Sequence, residues 1–131
     1  MTLQPLYTFY GQIIHGFGNG HTVHMPTANL SLPAGAALPP LGVYASLVHL
    51  LGQTYIGVTN VGLRPTISDS NQASIETYIV GFDGDAYGQD IALELYHFLR
   101  PTRKMSSLDE VHQQVEKDAL QACALLRDLI R

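Results

Sequence analysis

The stretch GVYASLVHLLGQTYIGVTNV, residues 42–61, decides the fold class. It holds two apolar runs of strand length, residues 42–51 and 54–61, separated by Gly52-Gln53. A two-residue, glycine-containing break between such runs is typical of a tight β-hairpin. Strands joined in this way are antiparallel, because parallel strands need a long crossover connection. The stretch therefore predicts an antiparallel sheet.

The rest of the chain extends this sheet. Further apolar runs of strand length are bounded by Gly, Pro, Asn and Asp and cover residues 6–14, 27–32, 74–82 and 91–99. The connections are short and contain no helix, which favours six antiparallel strands over a parallel sheet. Closing these strands into a barrel removes the exposed edges of the sheet. Pro101 lacks a backbone N–H and is expected to end the sixth strand.

A helix is predicted after the barrel. Ser107 followed by Glu110 fits an N-cap with its partner glutamate. Apolar residues then recur at steps of three and four, at positions 108, 111, 115, 119, 122, 126 and 129. The pattern predicts an amphipathic helix over about 107–130 that packs on the outside of a barrel spanning about 6–100. A chain of 131 residues is expected to form a single domain, residues 1–131.

Composition excludes some functions and favours one compartment. The net charge of −4 argues against a nucleic-acid binder, which would carry a basic surface. Cys123 is the sole cysteine, so an internal disulfide cannot form and a reducing compartment is favoured. The first residues show no signal peptide, and no apolar run has the length of a membrane span. We expect a cytoplasmic monomer without nucleic-acid or membrane partners.

Three glycines alternate just before the second predicted strand, at Gly16, Gly18 and Gly20. A dinucleotide-binding fingerprint would need glycine where His21 stands, and a helix after it. Glycines can instead let successive backbone amides form an anion-binding concavity. A flexible hairpin is the plainer interpretation, and the glycines alone favour it.

Polar side chains recur on the strand that follows. After Pro26, Thr27 and Asn29 are two residues apart, so their side chains lie on one face of the strand. Two neutral oxygens of this kind suit a magnesium ion that keeps several waters and binds substrate phosphates. A solvent-facing polar strand explains the pair equally well.

Glu76 lies within the strand predicted over residues 74–82 and shares a face with Tyr78. A carboxylate in mid-strand can act as a general base. More often such a residue is solvated or paired across the sheet.

Two loop regions complete the candidates. Asp85, Tyr87 and Gly88 lie in a loop rich in turn-forming residues. Arg100 stands at a strand end, where a guanidinium can bind an anion or stack on an aromatic ring. Turn formation and surface solvation are the alternative explanations.

Taken in order, these segments resemble the riboflavin kinase family, whose members make FMN from riboflavin and ATP. The likeness covers about residues 10–118. It rests on GQIIHGFG (11–18), PTANL (26–30), GVY (42–44), NVGLRPT (60–66), IET (75–77), DAYG (85–88) and FLRP (98–101). The resemblance implies a six-stranded Greek-key barrel with a C-terminal helix, in agreement with the count of strands made from the residues.

The resemblance also implies roles for the candidate residues. Glu76 matches the catalytic base, and Thr27 and Asn29 match the pair that contacts Mg²⁺, with Mn²⁺ or Zn²⁺ as alternative ions. Nucleotide-binding positions are Gly16, Gly18, Asn19, Gly20, His21, Pro26, Thr27 and Asn29, and flavin-side positions are Asp85, Tyr87, Gly88 and Arg100. ATP is then the phosphoryl donor, and riboflavin and FMN are substrate and product.

The sequence departs from the family pattern in the glycine-rich stretch and after Arg100. Basic residues are common in the family where Asn19 stands and near His21, and glycine is common where His24 stands. Glutamate is usual where Thr102 stands. The losses predict a weaker affinity for ATP or the use of another phosphoryl donor. The adenylyltransferase domain that often precedes the kinase is missing from the sequence, so the reaction is expected to stop at FMN. The alternatives are a catalytically impaired flavin- or nucleotide-binding barrel with a carrier or regulatory role, and a kinase of another small alcohol.

Overall fold

Six antiparallel strands close into a barrel. The computed structural model describes residues 4–14, 27–31, 38–65, 71–82, 86–102 and 105–130, with backbone alone at 63–65 and 71–73. The strands are β1 (Tyr7–Ile14), β2 (Thr27–Leu30), β3 (Gly42–Leu50), β4 (Gln53–Pro65), β5 (Asn71–Ile79) and β6 (Asp90–Arg100). Their order around the barrel is β1-β2-β5-β4-β3-β6, with every neighbouring pair antiparallel. Because β2 pairs with β5 and not with β3, the strands follow a Greek-key topology. The predicted antiparallel barrel is confirmed.

The central hairpin differs from its prediction by one residue. Leu50 pairs with Gln53, so the turn consists of Leu51 and Gly52 and not of Gly52 and Gln53. Both turn residues have positive φ, 54° and 77°, as a type I′ turn requires. Leucine rarely adopts a positive φ, and for that reason the local sequence favoured Gly52 and Gln53 as the turn residues.

The inside of the barrel is filled by apolar side chains. One core cluster comprises Phe9, Ile13, Leu30, Tyr44, Val48, Leu50, Val61, Ile75, Ile79, Ala86, Ile91, Leu93 and Leu95. Tyr44 is buried within it, and its hydroxyl donates a hydrogen bond to the carbonyl oxygen of Pro40 at 2.6 Å. Burial raises the pKa of Tyr44. The filled interior leaves the outer face of the barrel as the place for a binding site.

Three hydroxyl groups lie within this interior and satisfy one another. Thr59 Oγ1 lies 2.8 Å from Ser46 Oγ and 2.9 Å from Thr77 Oγ1. All three residues are at most 1% exposed, so the hydrogen bonds offset the cost of burying their oxygens. Gly57 gives them room, since a Cβ there would lie 2.7 Å from Ser46 Oγ and 2.9 Å from Thr77 Cγ2.

Gly57→Ala is therefore expected to lower the free energy of unfolding by about 1–3 kcal/mol through overpacking. Urea denaturation measures the change. Gly62→Ala is the matched control on the same strand, because its Cβ would approach only Asn60 Nδ2, at 3.3 Å. Equal losses in the two variants would contradict this account of the interior.

The helix α1 (Leu108–Leu126) covers part of the outer face and continues into a 3₁₀ turn over Arg127–Leu129. Ser107 Oγ accepts a hydrogen bond from the backbone N–H of Glu110 at 3.1 Å, which confirms the predicted N-cap. The Glu110 carboxylate also accepts hydrogen bonds from the backbone N–H and the hydroxyl of Ser106, at 3.0 and 2.6 Å. In the described part of the chain, no helix is long and apolar enough to cross a membrane.

The two halves of the helix contact the barrel differently. Ala122 and Leu126 are fully buried against an outer cluster formed by Val43, Ala45, Leu47, Ile56, Val58 and Tyr96. Leu108 and Val111, on the same apolar stripe, are 46% and 36% exposed. The helix thus packs tightly through its C-terminal half and leaves a cleft under its N-terminal half.

Candidate active site

A row of side chains runs across the outer face of the barrel toward this cleft. Asn29 lies opposite Glu76, Glu76 opposite Asn60, Asn60 opposite Val43, and Val43 opposite Arg100. Side chains alternate between the two faces of a strand. Four residues that are adjacent in sequence to members of the row belong to the interior core: Leu30, Tyr44, Val61 and Ile75. The five residues of the row therefore face outward on five consecutive strands.

Thr27 extends the row at Glu76. Its hydroxyl donates a hydrogen bond to Glu76 Oε1 at 2.9 Å. Thr27 pairs with Tyr78 and Asn29 pairs with Glu76, so the predicted shared face of Thr27 and Asn29 is confirmed. Asn29 is 8% exposed, whereas Glu76 is half-buried. The carboxylate is thus held in a fixed position at a partly open surface.

Arg100 ends the row and ties the helix to the barrel. Its Nε donates to both carboxylate oxygens of Asp118, at 3.1 and 3.2 Å, and its Nη2 donates to Oδ2 at 2.7 Å. The Asp118 side chain is 3% exposed and that of Arg100 is 20% exposed. Gln114 donates a further hydrogen bond to Asp118 Oδ1 at 3.1 Å. One edge of the guanidinium is thereby fixed, while the remaining N–H donors are left for other partners.

The row forms one wall of a cavity between barrel and helix. Its volume is about 210 Å³, and it is lined by Thr27, Val43, Val58, Asn60, Glu76, Tyr78, Arg100, Thr102, Met105, Val111, Val115 and Asp118. Polar groups converge from the barrel side, whereas the helix contributes mainly apolar side chains. A cleft of this composition suits a ligand with an apolar ring and a polar chain.

Three predicted site residues meet here: Thr27, Glu76 and Arg100 line the cavity together. Tyr87 and Gly88 do not line it. The Gly88 N–H donates to the carbonyl oxygen of Ile13 at 2.9 Å, and Tyr87 packs against the interior core. Gly88 has φ of +83°, a conformation that glycine adopts without strain.

The remaining predicted positions lie outside the described residues. These are Gly16, Gly18, Asn19, Gly20, His21, Pro26 and Asp85.

The donor set at Glu76 fits a hard cation. The Thr27 hydroxyl donates its hydrogen bond to Glu76, so the lone pairs of its oxygen stay available to a metal ion. Asn29 lies opposite Glu76 in register, and its carboxamide adds a second neutral oxygen donor. No group of three or more His, Cys, Asp or Glu that could hold a metal ion occurs in the part of the chain that the structure describes. These few oxygens suit Mg²⁺, which retains waters and takes further ligands from phosphates.

Among the cavity residues that were not predicted as site residues are three hydrogen-bonded polar ones: Asn60, Thr102 and Asp118. Asp118 carried a readable signal, because it stands on the apolar stripe of the helix between Val115 and Ala122. A buried acid on such a stripe indicates a charged partner on the opposing surface. Thr102 Oγ1 donates to Asn60 Oδ1 at 2.9 Å, a contact across 42 residues of sequence that no local pattern indicates.

Comparisons with known proteins identify the family of this chain. The sequence profile of the flavokinase family, described as riboflavin kinase, matches residues 3–126. A bifunctional riboflavin kinase/FMN adenylyltransferase of Bacillus subtilis is 38% identical over 128 residues, which is 96% of this chain and 40% of that protein. Its counterpart in Listeria monocytogenes is 37% identical over 112 residues, 86% of this chain and 36% of that protein. The chain thus spans less than half the length of these relatives.

Solved structures share the fold. A Streptococcus pneumoniae protein described as a macrolide-efflux protein superposes with a TM-score of 0.78 at 32% identity, over 87% of this chain and 37% of that one. The riboflavin kinase of Trypanosoma brucei superposes with a TM-score of 0.67 at 23% identity, over 97% of this chain and 83% of that one. The profile match over nearly the whole sequence, together with the bacterial relatives, shows that this chain belongs to the riboflavin kinase family.

Proposed function

We propose that this chain transfers the γ-phosphoryl group of ATP to the terminal ribityl hydroxyl of riboflavin, giving FMN and ADP. The observation that carries the proposal is the hydrogen bond between Thr27 and Glu76 on the wall of the cavity, with Asn29 opposite Glu76 in register. A carboxylate and two oxygen-bearing neutral side chains at one point supply a proton acceptor and a cation site together. A simple flavin carrier would need neither.

Glu76 is the proposed general base. Its carboxylate accepts the proton of the terminal hydroxyl while that oxygen forms a bond to the γ-phosphorus. The bond from the γ-phosphorus to the bridging oxygen breaks, and ADP leaves with that oxygen. Thr27 fixes one carboxylate oxygen through its hydrogen bond, which leaves the other oxygen for the substrate. The half-buried position keeps the base close to its substrate and limits the access of competing water.

Thr27 and Asn29 are the proposed residues that hold Mg²⁺. When bound, the ion neutralises charge on the transferring phosphates and helps to orient them. Both residues lie on β2, which is next to the strand of Glu76 and on the side away from Arg100. The donor phosphates would then approach Glu76 from the side of β2 and the acceptor from the side of the helix.

The acceptor half of the cavity has the composition that a flavin needs. Val43 of the row forms an apolar surface together with Val58, Met105, Val111 and Val115. Arg100 is the cation on this side, held through one edge by Asp118. The helix therefore contributes to the site itself, since its exposed N-terminal half forms the outer wall.

The test is direct formation of FMN. The purified chain is incubated with riboflavin and Mg-ATP, with CTP and GTP as alternative donors, and the products are separated by chromatography. We expect FMN with at least one donor, and its loss when a chelator removes the divalent ion. Absence of FMN with all three donors would overturn the proposal.

A further inference from the structure

Asn60 occupies the position next to Glu76 on the side away from Asn29. It pairs with Glu76 on one strand and with Val43 on the other, and it lines the cavity. Directly opposed residues in a sheet have Cβ atoms about 5 Å apart. A ligand group that touches the Glu76 carboxylate is therefore within reach of the Asn60 carboxamide.

The orientation of this carboxamide is set from outside the sheet. Thr102 Oγ1 donates to Asn60 Oδ1 at 2.9 Å, and Thr102 is the one side-chain hydrogen-bond partner of Asn60 among the described residues. With Oδ1 held in this way, the two protons of Nδ2 point away from Thr102. Those protons are two hydrogen-bond donors without a described protein acceptor, on the wall of a polar cleft.

We propose that Asn60 binds the polyol chain of the phosphoryl acceptor and that Thr102 is the positioning residue that orients its amide. The proposal rests on the phosphoryl-transfer function and adds a determinant of acceptor specificity. Glu76 takes the proton of the terminal hydroxyl, and Asn60 Nδ2 donates to a hydroxyl oxygen further along the same chain. The apolar surface beyond Asn60, at Val43 and Met105, continues toward the ring.

This arrangement distinguishes a polyol from a simple alcohol. A site that places a hydrogen-bond donor against an internal hydroxyl discriminates against an acceptor that lacks it, because the donor then loses its partner. Metal binding does not require Asn60, since the residues proposed for the cation lie on the opposite side of Glu76. The effect of changing Asn60 should therefore fall on the acceptor and spare the nucleotide.

The experiment compares Asn60→Ala with its parent and with Gln53→Ala, an exposed polar residue near the other end of β4. Flavin fluorescence gives the dissociation constant of riboflavin, and steady-state kinetics give KM for riboflavin and for ATP. Analogues that each lack one internal ribityl hydroxyl are measured in parallel. Asn60→Val, whose side chain suits a strand, carries the same expectation if alanine weakens the sheet.

We expect Asn60→Ala to raise the dissociation constant and the KM of riboflavin about fivefold to tenfold, the loss of one neutral hydrogen bond. KM for ATP should not change. One deoxy analogue should bind the parent more weakly than riboflavin does. The same analogue and riboflavin should bind the Asn60→Ala variant with equal affinity, as a double-mutant cycle requires for a direct contact. Thr102→Val should raise KM for riboflavin in the same direction, and Thr102→Ser should restore it.

Two results would overturn this proposal alone: FMN formation by the parent with unchanged riboflavin binding in Asn60→Ala, or an equal rise in KM for riboflavin and ATP. The second result would mean that Asn60 serves only to hold the segment after β6. Absence of FMN from the parent would overturn the phosphoryl-transfer function as well, so the two failures are distinguishable.

Discussion

Glu76→Gln is expected to lower the rate of FMN formation about 10²- to 10⁴-fold, the usual contribution of a general base. The substitution preserves shape, and the amide oxygen of glutamine can still accept the hydrogen bond that Thr27 donates to Glu76 Oε1. The fold and the affinity for riboflavin should therefore persist. The variant loses only the ability to take a proton from the attacking hydroxyl.

The control for this experiment is Glu94→Gln. Glu94 also lies on the outer face of the barrel, but its carboxylate contacts His49 at 2.6 Å and lines no part of the cavity. This variant should form FMN at the rate of the parent. A Glu76→Gln variant that binds riboflavin and retains full activity would remove Glu76 from the role of base.

Asp118→Ala is expected to produce the largest loss of stability among the site residues, about 3 kcal/mol in the free energy of unfolding. The change leaves the Arg100 guanidinium in a largely buried position without its carboxylate, and Gln114 loses the same acceptor. Arg100 keeps a fifth of its side chain in solvent, so the loss should lie at the lower end of the range for buried pairs. Denaturant unfolding measures the change.

Two further variants separate the ion pair from a general effect of the helix. Asp128→Ala, in the exposed 3₁₀ turn after α1, should change the free energy of unfolding by less than about 0.5 kcal/mol. Replacing both charges, in Arg100→Met with Asp118→Leu, should recover much of the stability, because an apolar pair avoids the cost of burying charge. A loss below about 1 kcal/mol in Asp118→Ala would show that the pair does not hold the helix.

The architecture of the barrel followed from local patterns. Alternation in residues 74–82 assigned Glu76 and Tyr78 to one face and Ile75 to the other, and the structure confirms both assignments. The helix was predicted outside the barrel from its apolar stripe, and it packs there through Ala122 and Leu126. Such patterns carry information because period and burial are local consequences of the strand and the helix.

The site could be predicted only in part, because its geometry depends on how distant strands pair. The shared face of Thr27 and Asn29 is a property of one strand and was predicted correctly. The proximity of Glu76 to Thr27 and Arg100 came only from the family resemblance, since no spacing in the sequence encodes the register of β5 against β2. The contact between Thr102 and Asn60 had no signal, because it forms only after the barrel closes.

The central claim is that phosphoryl transfer takes place on the outside of the barrel, between the row at Glu76 and the N-terminal half of α1. A crystal structure of the chain with riboflavin and Mg-ADP tests it most directly. We predict the terminal ribityl hydroxyl within hydrogen-bonding distance of the Glu76 carboxylate, the metal ion beside Thr27 and Asn29, and the flavin ring against Val111 and Val115. Riboflavin bound elsewhere, with the Glu76 carboxylate left in contact with Thr27 and solvent alone, would contradict the account.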